Sequence, residues 1–140
     1  MAPPISVLLV DDNPIFLRIL TRFLEERSRL EVIVVGSADG GEKALAKAPL
    51  LKPQVILVDL AIPDIHGLEL IPRLRALMPG ARIIALTLMD PGSYREAVMA
   101  AGADAFVSKA TLETDLLPAI RRLAQGGQFR GVAENNAVSV

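Results

Sequence analysis

No cysteine and no tryptophan occur in this 140-residue chain, and it has a single histidine and a single tyrosine. The missing cysteines exclude a disulfide framework and a thiolate metal site. Charge of one sign is also missing: 15 Lys and Arg face 16 Asp and Glu, for a net charge of −1. Such a balance carries no electrostatic footprint for gripping a phosphate backbone, so the domain by itself is not predicted to bind DNA. Although 51% of residues are apolar and the mean hydropathy is +0.42, no apolar run approaches the roughly 18 residues that cross a bilayer. Met1-Ala2-Pro3-Pro4 lacks the basic start and long apolar centre of a signal peptide, so a cytoplasmic location without a membrane partner is expected. No glycine-rich turn follows the first strand, and no Gly-Lys-Ser/Thr follows any strand, which argues against dinucleotide and P-loop chemistry.

What is present is a series of short, unbroken apolar runs. Val55-Ile56-Leu57-Val58 shows no alternation and ends on Asp59, the pattern of a strand buried on both faces in a parallel sheet. Ile5 to Val10 repeats it and runs into Asp11-Asp12-Asn13-Pro14, where Asn caps and Pro opens a helix over about residues 14 to 27. Ile15, Leu17, Ile19, Leu20, Phe23 and Leu24 form that helix's apolar stripe. Val32 to Val35 reads as a further strand with a turn from Gly36 to Gly41, then a helix from Glu42 to Leu51 frayed by Pro49. The loop from Ala61 to Gly67 leads to a helix over Leu68 to Met78, striped by Leu68, Ile71, Leu74 and Leu77. Pro72 inside it predicts a kink or a late start. The strand Arg82 to Thr87 precedes a helix over Pro91 to Ala101, and Ala105 to Ser108 is a short strand ending in Lys109. A last helix spans Leu112 to Ala124, with Thr111 as its cap and Pro118 inside.

Five strand-helix units at this spacing predict one α/β, doubly wound domain with a parallel sheet and helices on both faces. Right-handed crossovers bring every strand's C-terminal end to one edge, the rim where open α/β sheets bind ligands. Asp11, Asp12, Asp59, Thr87 and Lys109 gather there. Clustered carboxylates repel unless a cation sits among them. Oxygen donors without a nearby histidine or cysteine suit Mg²⁺, which keeps waters and shares its site with phosphate oxygens. An Asp nucleophile beside a metal and a lysine is a site for aspartyl-phosphate formation.

Asp11-Asp12, the run Asp59-Leu60-Ala61-Ile62-Pro63-Asp64-Ile65-His66-Gly67, Leu86-Thr87, and Ala101-Gly102-Ala103-Asp104-Ala105-Phe106-Val107-Ser108-Lys109 together resemble a response regulator receiver domain. The likeness covers about residues 5 to 124. Ala-Gly-Ala-Asp-Ala-Phe and the ending Ala119 to Gly127 look most like the NarL-type two-component regulators. The resemblance implies the flavodoxin-like strand order 2-1-3-4-5 of the chemotaxis regulator. It implies that Asp59 accepts a phosphoryl group from a sensor histidine kinase or phosphotransfer protein. It also implies that Mg²⁺ is held by Asp12, Asp59 and the Ala61 carbonyl, with Asp11 acting through water. Thr87 and Lys109 would contact the phosphoryl group, and Thr87 with Phe106 would form the switch. The chain would then be a phosphoacceptor that assists its own phosphorylation and dephosphorylation, not a metabolic enzyme. Homodimerisation stays open, and DNA would be reached only through a separate effector domain.

The receiver domain is expected over residues 1–126, with 127–140 a tail or the start of a linker. Leu88 is bulky where receivers have a small residue and is expected to crowd the route to Asp59. Ala61 and Met89 offer no polar side chain to hold a hydrolytic water, which suggests a long-lived phosphoryl state. His66 is read as an exposed loop residue. Two alternatives stand beside this reading. One is a Mg²⁺-dependent, haloacid-dehalogenase-like phosphohydrolase, which expects an Asp two positions after its nucleophile, where Asp11 is followed by Asn13. The other is a receiver-like interaction module that works without phosphorylation.

Overall fold

A computed structural model describes residues 3–28, 30–88 and 91–125. Met89 and the expected tail 127–140 lie outside the described residues. The elements run β1 (Ile5–Val10), α1 (Pro14–Ser28), β2 (Val32–Ala38), α2 (Gly41–Leu51), β3 (Val55–Asp59), α3 (Gly67–Leu77), β4 (Arg82–Thr87), α4 (Pro91–Ala101), β5 (Ala105–Ser108), a 3-10 turn (Lys109–Thr111) and α5 (Leu112–Gln125). The five strands form one sheet in the order β2-β1-β3-β4-β5, and every pairing is parallel. This is the expected doubly wound, flavodoxin-like arrangement.

Strand residues alternate between two cores. Leu8, Val10, Ile56, Val58, Ile83, Ala85 and Phe106 pack with Ala44 and Ala48 of α2, Leu70, Ile71 and Leu74 of α3, and Val98 of α4. Val7, Leu9, Val55, Leu57, Ile84, Leu86 and Val107 pack on the other side with Leu20 and Leu24 of α1 and Leu116, Leu117 and Ile120 of α5. Because both faces are covered, the strands carry no polar alternation, and that is why they read as continuous apolar runs.

Several local expectations are corrected. Ile15 and Ile19 are 64% and 58% exposed; they share α1's outward face with the exposed Arg22–Glu26 pair, and Leu20 and Leu24 carry the burial instead. In α3 the buried stripe is Leu70, Ile71 and Leu74, while Leu77 is exposed. Gly36 belongs to β2 and not to a turn. There the register slips between Val7 and Leu8, leaving Val35 as the extra residue, and a Cβ on Gly36 would lie 2.7 Å from Leu51 Cδ1. Pro49, Pro72 and Pro118 all lie inside their helices, so α3 starts at Gly67 without delay and α2 runs through Pro49. Each of these prolines is exposed, so the backbone bond it forgoes lies on a helix face that water can reach. The Thr111 hydroxyl donates to Asp115 Oδ2 and caps no backbone amide; Ser108 instead accepts from Ala110 N and opens the 3-10 turn.

Candidate functional site

Parallel strands ending together set the site. Asp11 follows β1, with its amide donating to Ala38 O of β2 at 3.0 Å. Asp59 closes β3, Thr87 closes β4, and Lys109 opens the turn after β5. Asp11, Asp59 and Thr87 are the buried polar residues among those described, at 2%, 4% and 3% exposure. Asp12 is exposed. Asp11, Asp12 and Asp59 each offer a carboxylate oxygen, and these oxygens all lie within 4.8 Å of one another.

Lys109 bridges two of the three acids. Its Nζ lies 2.8 Å from Asp11 Oδ2 and 3.2 Å from Asp59 Oδ2. The remaining oxygens of those two acids order the adjoining backbone: Asp11 Oδ1 accepts from Asn13 N at 2.9 Å, and Asp59 Oδ1 accepts from Ala61 N at 3.1 Å. Burial pushes the Asp59 carboxyl above its ordinary range and the Asp11 charge adds to this, while the Ala61 amide and Lys109 pull the other way. The raised carboxyl thus sits at the sheet rim beside one cation and two further acids, where like charge and burial both disfavour its ionised form.

The other expected site residues are distributed around this centre. Phe106 is buried in the core that faces α4. Leu88 stands 77% exposed, so its side chain is directed to solvent and is not packed into the core. His66 is exposed as expected, yet it also shapes the local backbone, because its Nδ1 accepts from Leu68 N at 3.1 Å and caps α3. With Nδ1 accepting, the neutral ring carries its hydrogen on Nε2, which donates to Tyr94 Oη on α4 at 3.2 Å.

Three further residues at the rim escape a reading of the sequence. Asp64 accepts from the amides of Gly41 and Glu42 at 2.8 and 3.0 Å, capping α2 from the β3–α3 loop because Gly40 has no side chain to do so. Those amides hold the Asp64 carboxyl below its ordinary range. The only sequence hint was a helix start with no capping side chain. Phe16 lies under Lys109, and Tyr94 meets His66; their partners lie far away in sequence, and no local pattern announces them.

A family model described as the response regulator receiver domain matches residues 7–121. The chain belongs to this family. The response regulator GacA of Pseudomonas viridiflava is 34% identical over 125 residues, covering 89% of this chain and 58% of GacA. A LuxR-family two-component response regulator from Aurantimonas sp. SI85-9A1 superposes with a TM-score of 0.81 at 27% identity, covering 88% of this chain and 86% of that one. The isolated receiver domain of RcsB from Salmonella enterica serovar Typhimurium, determined with the phosphomimetic BeF3−, gives a TM-score of 0.79 at 28% identity over 88% of this chain and 90% of that one. The receiver thus spans little more than half the length of GacA. Membership of this family sets aside the haloacid-dehalogenase-like alternative. Among the described residues, no helix is long and apolar enough to cross a membrane.

Proposed function

We propose that this receiver takes a phosphoryl group on Asp59 from a sensor histidine kinase or phosphotransfer protein, and that the modification changes the surface around α4, β5 and α5. The observation that carries the reading is Lys109 bridging the buried carboxylates of Asp11 and Asp59. In the transfer, an Asp59 oxygen attacks phosphorus as the bond from phosphorus to the donor's histidine nitrogen breaks, and the electron pair stays with the imidazole. Lys109 then meets the incoming oxygens as a mobile point charge, and the Thr87 hydroxyl donates to one of them.

The donor set fits Mg²⁺, because Asp11, Asp12 and Asp59 bring hard oxygens within 4.8 Å of one another and no histidine or cysteine is among them. In our reading Asp12, Asp59 and the Ala61 carbonyl hold the ion, with Asp11 acting through water. When bound, it would neutralise the acids and the transferring oxygens. The chain itself supplies positioning: the Ala61 amide orients Asp59, and Lys109 balances the paired charges. Ala61 brings no polar side chain to hold an attacking water, which favours a slowly hydrolysed aspartyl phosphate.

As the switch, Thr87 is drawn toward the phosphoryl group and Phe106 repacks. Phe106 already lies in the core and has no hydroxyl to fix its outer end, so only ring packing favours one state and the equilibrium stays two-sided. We take the receiver domain as residues 1–126, with 127–140 as tail or linker. Output in transcription would run through a separate DNA-binding effector domain, and a homodimer is the assembly to test for.

Incubation with acetyl phosphate and Mg²⁺ followed by intact-protein mass measurement decides the reading. A one-phosphate adduct that Asp59→Asn removes is the expected result. No adduct in the wild type would favour the interaction module that works without phosphorylation, and an undiminished adduct in Asp59→Asn would move the phosphoacceptor elsewhere.

A further inference from the structure

Lys109 has a third partner. Its Nζ sits 4.1 Å from the centre of the Phe16 ring, while its side chain is only 12% exposed. At that distance a partly desolvated ammonium is attracted to the negative face of an aromatic ring. Phe16 is itself fixed from two directions. Its amide donates to Asn13 Oδ1 at 3.2 Å in the α1 cap, and its ring packs against the core shared by α1 and α5.

These contacts close a circuit. Lys109 donates to Asp11 Oδ2, and Asp11 Oδ1 accepts from the Asn13 amide. Asn13 Oδ1 accepts from the Phe16 amide, and the Phe16 ring faces Lys109 again. A lysine has a long, flexible stem whose ordering costs entropy. Its two carboxylate partners stop being equivalent once one of them becomes an acyl phosphate. A ring face differs from a carboxylate because its attraction is broad in direction, so the ammonium can swing from Asp59 Oδ2 toward a phosphoryl oxygen without losing it.

We propose that Phe16 is a positioning residue that holds the Lys109 ammonium over the Asp11–Asp59 pair through its ring face. This rests on the reading of Asp59 as phosphoacceptor only for its effect on rate; the contact itself is tested separately. The experiment replaces Phe16 in the full chain by 4-fluoro-, 3,5-difluoro- and pentafluorophenylalanine, which weaken the ring face stepwise at nearly constant shape, and adds Phe16→Tyr and Phe16→Leu. In the first arm, NMR follows the Lys109 side-chain resonances without any phosphodonor. The expected result is a graded shift along the fluorinated series, retention in Phe16→Tyr and loss of the ring-induced displacement in Phe16→Leu. Lys109 resonances that stay the same in Phe16→Leu overturn the proposal. In the second arm, the rate of adduct formation with acetyl phosphate falls monotonically with fluorination, by about 3- to 10-fold at the pentafluoro ring. A flat series with a normal wild-type rate overturns the positioning role and leaves Phe16 as packing, whereas absence of any wild-type adduct indicts the Asp59 reading and leaves the NMR arm to decide the contact.

Discussion

Replacing Asp104 by Asn strikes a buried ionic cluster that lies away from the rim. The Asp104 side chain is 3% exposed, and its partners Arg75 and Arg82 are 17% and 11% exposed. Asp104 Oδ2 accepts from Ile83 N at 2.8 Å and from Arg75 Nη2, while Arg75 also donates to the carbonyls of Pro79, Ala81 and Gly102. The cluster therefore ties the end of α3 to the starts of β4 and β5. Breaking one partner of a buried pair costs about 3–5 kcal/mol. Arg75 keeps its three carbonyl acceptors and Asn keeps one acceptor oxygen, which favours the low end, about 3 kcal/mol. Against a total of about 5–15 kcal/mol for a domain, that is a fifth to more than half. In urea titrations at neutral pH, the midpoint should fall by about 1.5 M if the slope is about 2 kcal/mol per M. Asp104 precedes β5 and Asp59 ends β3, so in a parallel sheet they lie at opposite edges. Adduct formation per folded molecule should accordingly be unchanged. A loss below about 1 kcal/mol at unchanged slope would refute the reasoning, and would mean that the carbonyl bonds of Arg75 carry the cluster without the acid.

Asp59→Asn tests the sign of the rim electrostatics. Because burial raises the folded carboxyl above its ordinary 3.8, the unfolded chain releases this proton first as pH rises from that value, and wild-type stability declines until the folded group has also ionised. Asp59→Asn should thus be the more stable protein in neutral thermal melts, with the difference closing below about pH 3.8; a wild type that is the more stable one at neutral pH would contradict it. For Asp64 the shift is downward, so its contribution is present above its ordinary value and lost as pH falls through the lowered one; Asp64→Ala should reduce the melting temperature at pH 7, and the difference should narrow as pH falls below the ordinary carboxylate value. Pro72→Ala should stabilise the fold by up to about 3 kcal/mol, because it restores an α3 backbone bond on an exposed face; destabilisation in urea would show that the helix has adapted to the proline.

The parts of this molecule legible in its sequence are those governed by local chemistry. Val55 to Val58 announces a strand buried on both faces because nothing polar interrupts it, and Asn13-Pro14 announces a helix start because capping acts within three residues. Periodicity was weaker at deciding which of two stripes turns inward. On α1 the pair Ile15 and Ile19 has the same spacing as Leu20 and Leu24, and only the packing against α5 and the sheet selects the latter. Gly36 reads as a turn residue from its type, whereas it pairs with Leu8 inside β2, where a Cβ would meet the Leu51 side chain. Contacts between distant segments were beyond reach altogether. Lys109 reaches Asp11 across 98 positions, and Asp64 caps α2 from 23 positions away. The rim itself was still readable, because right-handed parallel crossovers carry every strand end to one edge whatever lies between. Strand ends alone therefore sufficed to list the acids and the lysine, while the contact of Phe16 with Lys109 and the cap that Asp64 places on α2 join segments that no spacing rule connects.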